Sequence, residues 1–219
     1  MPPTFRTISV SDPRYTRDGL HYITVKTPHL LGRGDITVWL PEGDFESLPL
    51  VLLLHGVYGS HWAWTLKGGV HHTAQRLIDE GKLRPMALAM PSDGLFGDGS
   101  GYLPHSGRDF EKWIVRDVPE VVQEVFPQIN IDQAGMFITG LSMGGFGALR
   151  LGAKFPHLFK GFSGHSSITK LAGMASFVEE DLSVYQQLST DDEAVLAQMP
   201  TTTLPFPHFG LIAAWMMTC

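Results

Sequence analysis

A serine lies between two glycines in the segment Gly140-Leu141-Ser142-Met143-Gly144, after a β-type run and before a helical one. A serine at a sharp strand-to-helix turn needs strained backbone angles, and small residues two positions before and after it prevent collisions. Its hydroxyl then stands above the sheet at the N-terminal end of the helix, whose dipole favours developing negative charge. The pattern therefore predicts that Ser142 is a catalytic nucleophile rather than part of an ordinary glycine-rich turn.

A second segment, His55-Gly56-Val57, follows an apolar run that is typical of a buried strand. Where a serine occupies such an elbow, the loop at this position supplies one backbone N–H that binds an oxyanion, and the residue after the nucleophile supplies the other. We therefore predict that Val57 and Met143 are the two donors. His55 could be a catalytic base, but the favoured interpretation is a turn histidine whose hydrogen bonds support the oxyanion hole.

The elements that must position these residues alternate along the chain with short connections, which indicates an α/β fold with a mostly parallel sheet and helices on both faces. The predicted strands are Phe5–Val10, Tyr22–Lys26 and Ile36–Leu40 (with Gly32 and Gly34 in a turn), then Leu50–Leu54, Met86–Met90, Gly135–Thr139 and Phe159–Ser163. The predicted helices are Val70–Glu80 (ended by Gly81), Phe110–Phe126 (divided at Pro119), Met143–Lys154 and two pieces within 174–199. We expect one domain over 1–219, with an atypical tail over 205–219.

Residues 94–108 are rich in glycine, but they do not open a helix in the way that a phosphate-binding loop does. A flexible loop that lines the site is the better interpretation. Aromatic side chains in this loop and near the His-Gly turn predict a hydrophobic substrate-binding wall. The predicted substrate-binding residues are Trp62, Trp64 and Tyr102, with Phe96 and His105 beside them.

Taken in order, these motifs resemble the putative-esterase family of α/β hydrolases, which includes tributyrin-type esterases, S-formylglutathione hydrolases and feruloyl esterases. The matching segments are 52–56 with Trp62 and Trp64, 90–94, 117–120, 140–145 and 154–159. The resemblance covers about residues 20–170. It implies an α/β-hydrolase fold and hydrolysis of carboxylic esters or thioesters by a Ser-His-Asp triad without a cofactor. A small-acyl esterase is the class most resembled, and an S-formylglutathione-type thioesterase remains the alternative.

Composition and charge exclude several classes of binding partner. The formal net charge is −6 and no basic stripe occurs, which argues against nucleic acid. No apolar run approaches the roughly 20 residues that span a bilayer, and the N-terminus lacks a signal-peptide pattern. Cys219 is the single cysteine, so we expect a cytoplasmic protein. From the family resemblance, we expect its partner to be a small ester substrate. His71, His72 and His105 have no partner at metal-ligand spacing, so the sequence predicts no metal site.

The triad partners of Ser142 do not fall at their usual places. In this fold the acid follows the serine at a later strand end, and the histidine comes after it. The segment Ala194–Cys219 contains no Asp, Glu, Lys or Arg. His165, directly after a predicted strand, is the favoured substitute for the catalytic histidine, ahead of His208. We expect Phe206–Met217 to form an edge strand or to pack on another chain, so a homo-oligomer is expected.

The codons that Trp215-Met216-Met217-Thr218 require would read Asp-Asp-Asp in a shifted frame, a segment that resembles the family's acid-bearing strand end. Two hypotheses remain open for the tail after about residue 204: a frameshifted coding sequence, or a divergent C-terminus. Two hypotheses for function follow from them. The chain is either an active esterase or a truncated hydrolase-fold protein with little or no turnover.

Overall fold

A computed structural model describes residues 5–185, and the structural statements below concern that part of the chain. It contains a seven-stranded mixed sheet and a separate two-stranded hairpin. The strands are β1 Thr7–Val10, β2 Leu20–Thr27, β3 Gly32–Trp39, β4 Leu50–Leu54, β5 Ala87–Pro91, β6 Pro104–His105, β7 Arg108–Asp109, β8 Met136–Leu141 and β9 Phe159–His165. The sheet order is β1-β2-β3-β5-β4-β8-β9. The pairs from β1 to β5 are antiparallel, and those from β5 through β4 and β8 to β9 are parallel.

The helices occupy the connections between these strands. They are α1 Val70–Asp79, α2 Phe110–Lys112, α3 Val118–Val125, α4 Ile131–Ala134 and α5 Met143–Lys154. Two π-helical segments, Ala63–Lys67 and Trp113–Asp117, and three 3-10 turns, Pro13–Tyr15, Leu171–Ser176 and Leu182–Tyr185, complete the helical structure of the described residues. None of these described helices combines the length and apolar character that a bilayer-crossing segment needs.

Strand β4 is buried on both faces, as its uninterrupted apolar sequence predicts. Leu50, Leu52 and Leu54 join the core that contains the buried side chains of α5. Val51 and Leu53 join a second core, which contains the buried side chains of α1. The alternation follows from the two-residue period of a strand. Helices therefore cover both faces of the sheet, and the predicted α/β fold class is confirmed.

The predicted boundaries of β3 were wrong, because Gly32 and Gly34 lie within the strand rather than in a turn. The reason is packing at Gly34, where an added Cβ would lie 2.5 Å from Cη2 of Trp113. The turn lies earlier: the Thr27 hydroxyl oxygen accepts a hydrogen bond from the backbone N–H of His29 at 3.0 Å. Glycine here makes room for an indole ring, which sequence alone cannot distinguish from a turn.

The helix predicted to break at Pro119 is continuous in its path but changes its hydrogen-bond pattern. A π-helical segment, Trp113–Asp117, joins α2 to α3, and Pro119 lies in the first turn of α3, as predicted. Proline has no N–H to donate, so the regular i→i−4 hydrogen bond cannot form at this position.

Two helical pieces were predicted within 174–199. The described part of this range contains the end of the 3-10 turn Leu171–Ser176 and the 3-10 turn Leu182–Tyr185, and the rest lies outside the described residues. The edge strand predicted for Phe206–Met217 lies outside the described residues.

The contact between α5 and β9 provides a test of this architecture. A Cβ added at Gly152 would lie 2.2 Å from Cγ of Phe162. Alanine normally stabilises a helix interior by about 1 kcal/mol relative to glycine, but overpacking typically costs about 1–3 kcal/mol. We expect Gly152→Ala to lower the free energy of unfolding by about 1–2 kcal/mol, measured by urea denaturation. Gly32→Ala is the control, since its Cβ would lie 3.6 Å from the nearest atom. A Gly152→Ala protein as stable as the parent would contradict this packing.

Candidate active site

Ser142 lies at the junction of β8 and α5 in a backbone conformation that ordinary residues avoid. Its φ is 56° and its ψ is −116°, and α5 begins at the next residue. The backbone N–H of Ser142 donates to the carbonyl oxygen of His165 at 2.9 Å, which ties the elbow to the end of β9. A Cβ added at Gly144 would lie 2.2 Å from the carbonyl oxygen of Leu54. The first turn of α5 therefore lies directly against the end of β4, as the glycine pattern predicts.

The two predicted oxyanion donors lie on segments that meet beside Ser142. A Cβ added at Gly56 would lie 3.3 Å from Cβ of Ser142. One added at Gly99 would lie 2.4 Å from Sδ of Met143 and 3.5 Å from Cγ1 of Val57. Among the hydrogen bonds of the described residues, none uses the N–H of Val57 or of Met143. Both donors are thus available at the elbow, which is the arrangement that an oxyanion hole requires.

His55 supports the turn before Val57 with both ring nitrogens. Its Nε2 accepts the backbone N–H of Asp93 at 3.1 Å. Its Nδ1 lies 2.7 Å from the carbonyl oxygen of Gly56, so Nδ1 must carry the proton and donate. The ring is buried, with 4% of its surface exposed. Because neither nitrogen is left to take a proton from Ser142, the geometry supports the interpretation of His55 as a turn histidine.

A closed set of buried hydrogen bonds joins this turn to the loop after β5. The two carboxylate oxygens of Asp93 accept the N–H groups of Leu95 and Ser100, at 3.1 and 2.6 Å. The Ser100 hydroxyl donates to the carbonyl oxygen of Asp93 at 2.6 Å. The Tyr102 hydroxyl donates to the carbonyl oxygen of His55 at 2.9 Å. Asp93 and Ser100 were not predicted as site residues, although a strand end followed by Asp-Gly was a detectable signal.

Two of the predicted substrate-binding residues belong to the interior. Tyr102 has no exposed surface, and its ring packs against α5, where a Cβ at Gly147 would lie 2.7 Å from it. Trp64 is 8% exposed and belongs to the core on the α1 side of the sheet. Neither side chain is available to touch a substrate, and these two predictions are corrected. Trp62 is 44% exposed and is still available for contact.

His165 ends β9 beside the elbow, because its strand position pairs with Leu141. The ring is 8% exposed, and its Nε2 is buried without a hydrogen-bond partner among the described residues. Burial lowers the pKa of His165 below its ordinary value of 6.5, which keeps the ring neutral at pH 7. No hydrogen bond within residues 5–185 joins the Ser142 hydroxyl to a histidine. His208, the second candidate, lies outside the described residues.

The segment after β9 returns to the site and holds the loop around Gly99. The Tyr185 hydroxyl donates to the carbonyl oxygen of Gly99 at 2.7 Å, and the Tyr58 hydroxyl donates to the carbonyl oxygen of Phe177. Burial and nearby carboxylates, Glu180 first, raise the pKa of Tyr185 to about 12. The Tyr185 hydroxyl therefore remains a donor near neutral pH, and it fixes the loop that borders Val57 and Met143.

The bond from Tyr102 to His55 can be tested by removing one oxygen. In Tyr102→Phe the buried carbonyl of His55 loses its donor, which typically costs about 1–3 kcal/mol. We expect the free energy of unfolding to fall by that amount in urea denaturation. Tyr15→Phe is the matched control, because Tyr15 is 82% exposed and should change stability little. Equal stability of the two variants would show that the Tyr102 hydroxyl does not support the turn.

The geometry agrees with what comparison of the chain with known proteins finds. The model of the Putative esterase family matches residues 30–203. An acetyl esterase of Caldicellulosiruptor saccharolyticus is 33% identical over 136 residues, which is 60% of this chain and 47% of that protein. The chain thus spans about half the length of that relative, and smaller shares of the next two relatives, 31% and 16%.

Solved structures show the same fold. A fluorophosphonate-binding serine hydrolase of Staphylococcus aureus has a TM-score of 0.63 and 19% identity, covering 80% of this chain and 71% of its own. An S-formylglutathione hydrolase from Agrobacterium tumefaciens has a TM-score of 0.62 and 18% identity, covering 89% and 74%. The extent of the family match and the agreement in fold lead to one conclusion: this chain belongs to the Putative esterase family, whose fold is that of the α/β hydrolases.

Proposed function

We propose that this protein is a serine carboxylesterase that hydrolyses small acyl esters through an acyl-enzyme on Ser142. The observation that carries the proposal is the strained elbow at Ser142, with the unused N–H groups of Val57 and Met143 on the segments that meet beside it. A strained, half-buried serine beside two unused N–H donors is the constellation that acyl transfer needs. The 33% identity to an acetyl esterase supports a small acyl group.

The reaction follows from these positions in two halves. A base removes the proton from the Ser142 hydroxyl while its oxygen attacks the carbonyl carbon of the ester. The N–H groups of Val57 and Met143 bind the oxyanion of the tetrahedral intermediate, and its collapse expels the alcohol, which takes the proton from the base. Water then repeats the sequence on the acyl-enzyme and releases the acid. Each oxyanion donor of this type is worth about 10²–10³ in rate.

His165 is the first candidate for the base. On β9 it pairs with Leu141, the residue that precedes Ser142 on the neighbouring strand β8. Burial keeps its ring in the neutral form that can accept a proton. Its Nε2 makes no competing hydrogen bond within the described residues. These properties distinguish His165 from His55, whose two nitrogens are both engaged.

The substrate surface proposed for this site includes Trp62, whose half-exposed indole can pack against an apolar group. Thioesters of the S-formylglutathione type are the alternative substrates, because a solved neighbour of similar fold is an S-formylglutathione hydrolase. Comparing kcat/KM for p-nitrophenyl acetate and S-formylglutathione on the same preparation distinguishes the two classes.

The nucleophile is tested by labelling and by burst kinetics. We expect a fluorophosphonate probe to label the parent protein and the control Ser176→Ala, but not Ser142→Ala. With p-nitrophenyl acetate, we expect one p-nitrophenol per chain in the first phase, followed by steady turnover. A burst without turnover would indicate acylation without deacylation, as in the truncated-hydrolase hypothesis. Labelling that survives in Ser142→Ala would reject Ser142 as the nucleophile.

The base is tested by pH dependence. Only neutral His165 accepts the proton, and its pKa lies below 6.5, so kcat/KM should fall only as the pH drops below 6.5. His165→Asn should reduce kcat about 10²–10⁴-fold, the usual contribution of a general base. His157→Ala changes an exposed histidine and should leave the rate unchanged. If His165→Asn retains the parent rate, the base lies elsewhere and His208 is the next residue to replace.

A further inference from the structure

Three side chains of types that can bind transition metals, those of Asp18, His71 and His72, come together away from the elbow residues. Asp18 lies in the turn before β2, and His71 and His72 lie in the first turn of α1. One ligand atom from each residue lies within 4.8 Å of the others. The cluster departs from the expectation of no metal site, because Asp18 is far from the two histidines along the chain and spacing alone could not connect them.

His71 is the unusual member of the cluster. It is 4% exposed, and its Nδ1 is buried without a hydrogen-bond partner among the described residues. Its ring stacks on His72 with centroids 3.9 Å apart and planes inclined by 35°. Two imidazole rings and one carboxylate therefore share a small volume at the start of α1.

The cluster faces a cleft of about 650 Å³. Its lining comes from three segments, 15–22, 65–69 and 71–72, and includes Asp18, His71 and His72. None of Ser142, Val57 and Met143 lines it. The cleft is therefore separate from the candidate active site, and an inference about it stands or falls independently of the esterase proposal.

We propose that Asp18, His71 and His72 form a binding site for a first-row transition metal ion of the Zn²⁺ type. Two imidazole nitrogens and one carboxylate oxygen are ligands that Zn²⁺ accepts, whereas Mg²⁺ and Ca²⁺ prefer oxygen alone. Water from the cleft completes the coordination. The bound ion links the turn before β2 to the start of α1.

Charge around the cleft sets the role of Asp18. Arg17 and Lys67 also line it, and the N-terminus of α1 adds a partial positive charge that disfavours a cation. The Asp18 carboxylate must offset these charges, so binding should depend on it strongly. An anion such as phosphate would instead be favoured by the same positive groups and opposed by Asp18, which gives the experiment its opposing outcome.

The experiment uses the chain with Cys219→Ser, which removes the single thiol as a competing Zn²⁺ ligand. After treatment with a chelator, the protein is titrated with ZnCl₂ by calorimetry, and its melting temperature is followed in parallel. We expect one ion per chain. At about 100 times Kd, the melting temperature should rise by about 5–10 °C for a protein of this size.

Two variants assign the ion to the cluster. Asp18→Asn removes the charge but keeps a residue that tolerates the φ of 56° at this position, and His72→Ala removes an exposed ligand. Each should weaken Zn²⁺ binding about tenfold or more. The controls Asp132→Asn and His157→Ala change exposed residues elsewhere and should leave Kd unchanged. Unchanged Kd in both cluster variants, no binding to the parent, or a melting temperature raised by inorganic phosphate but not by Zn²⁺ would overturn the proposal.

Discussion

The geometry at Ser142 depends on holding one residue in a backbone conformation that costs free energy on its own. Conformations of this kind cost about 1–3 kcal/mol each, and they persist only where neighbouring contacts compensate. Here the N–H of Ser142 bonds to His165 at the end of β9, while α5 presses on the end of β4 at Gly144. The elbow is thus fixed from two neighbouring strands of the parallel part of the sheet. Of these strands, β4 is itself held by cores on both faces, and β9 contributes Phe159 and Phe162 to the core on the α5 side.

The His-Gly turn obeys a second constraint, which is that buried polar groups must be hydrogen-bonded. Asp93 is 5% exposed, and its carboxylate is satisfied by two backbone N–H groups rather than by a cation. His55 is satisfied by backbone groups at both nitrogens. His55 and Asp93 are therefore held by main-chain partners. The loop beyond them also uses charged side chains, because Glu180 accepts the N–H of Asp98 and Arg150 donates to the carbonyl oxygen of Tyr102.

The sequence predicted the structure correctly where a local pattern alone decides it. The bounds of β4 and α5 were predicted to the residue, because an apolar run and a glycine-rich elbow leave little choice. It failed where an outcome depends on elements that meet only in three dimensions. Trp64 was expected at an open site but packs in the core, because the π-helical segment at Ala63–Lys67 turns it inward. Asp18 could not be connected to His71 for the same reason.

The hydroxyls of Tyr58 and Tyr185 both donate to backbone carbonyls, at Phe177 and Gly99. A carbonyl is present whatever side chain its residue carries, so these two hydrogen bonds do not depend on the identity of the loop residues. Substitutions at Phe177 or around Gly99 would consequently leave both acceptors in place, and the loop would keep its path past Val57 and Met143. The fold thus separates the side chains that can vary around the candidate site from the two tyrosines that fix its loop.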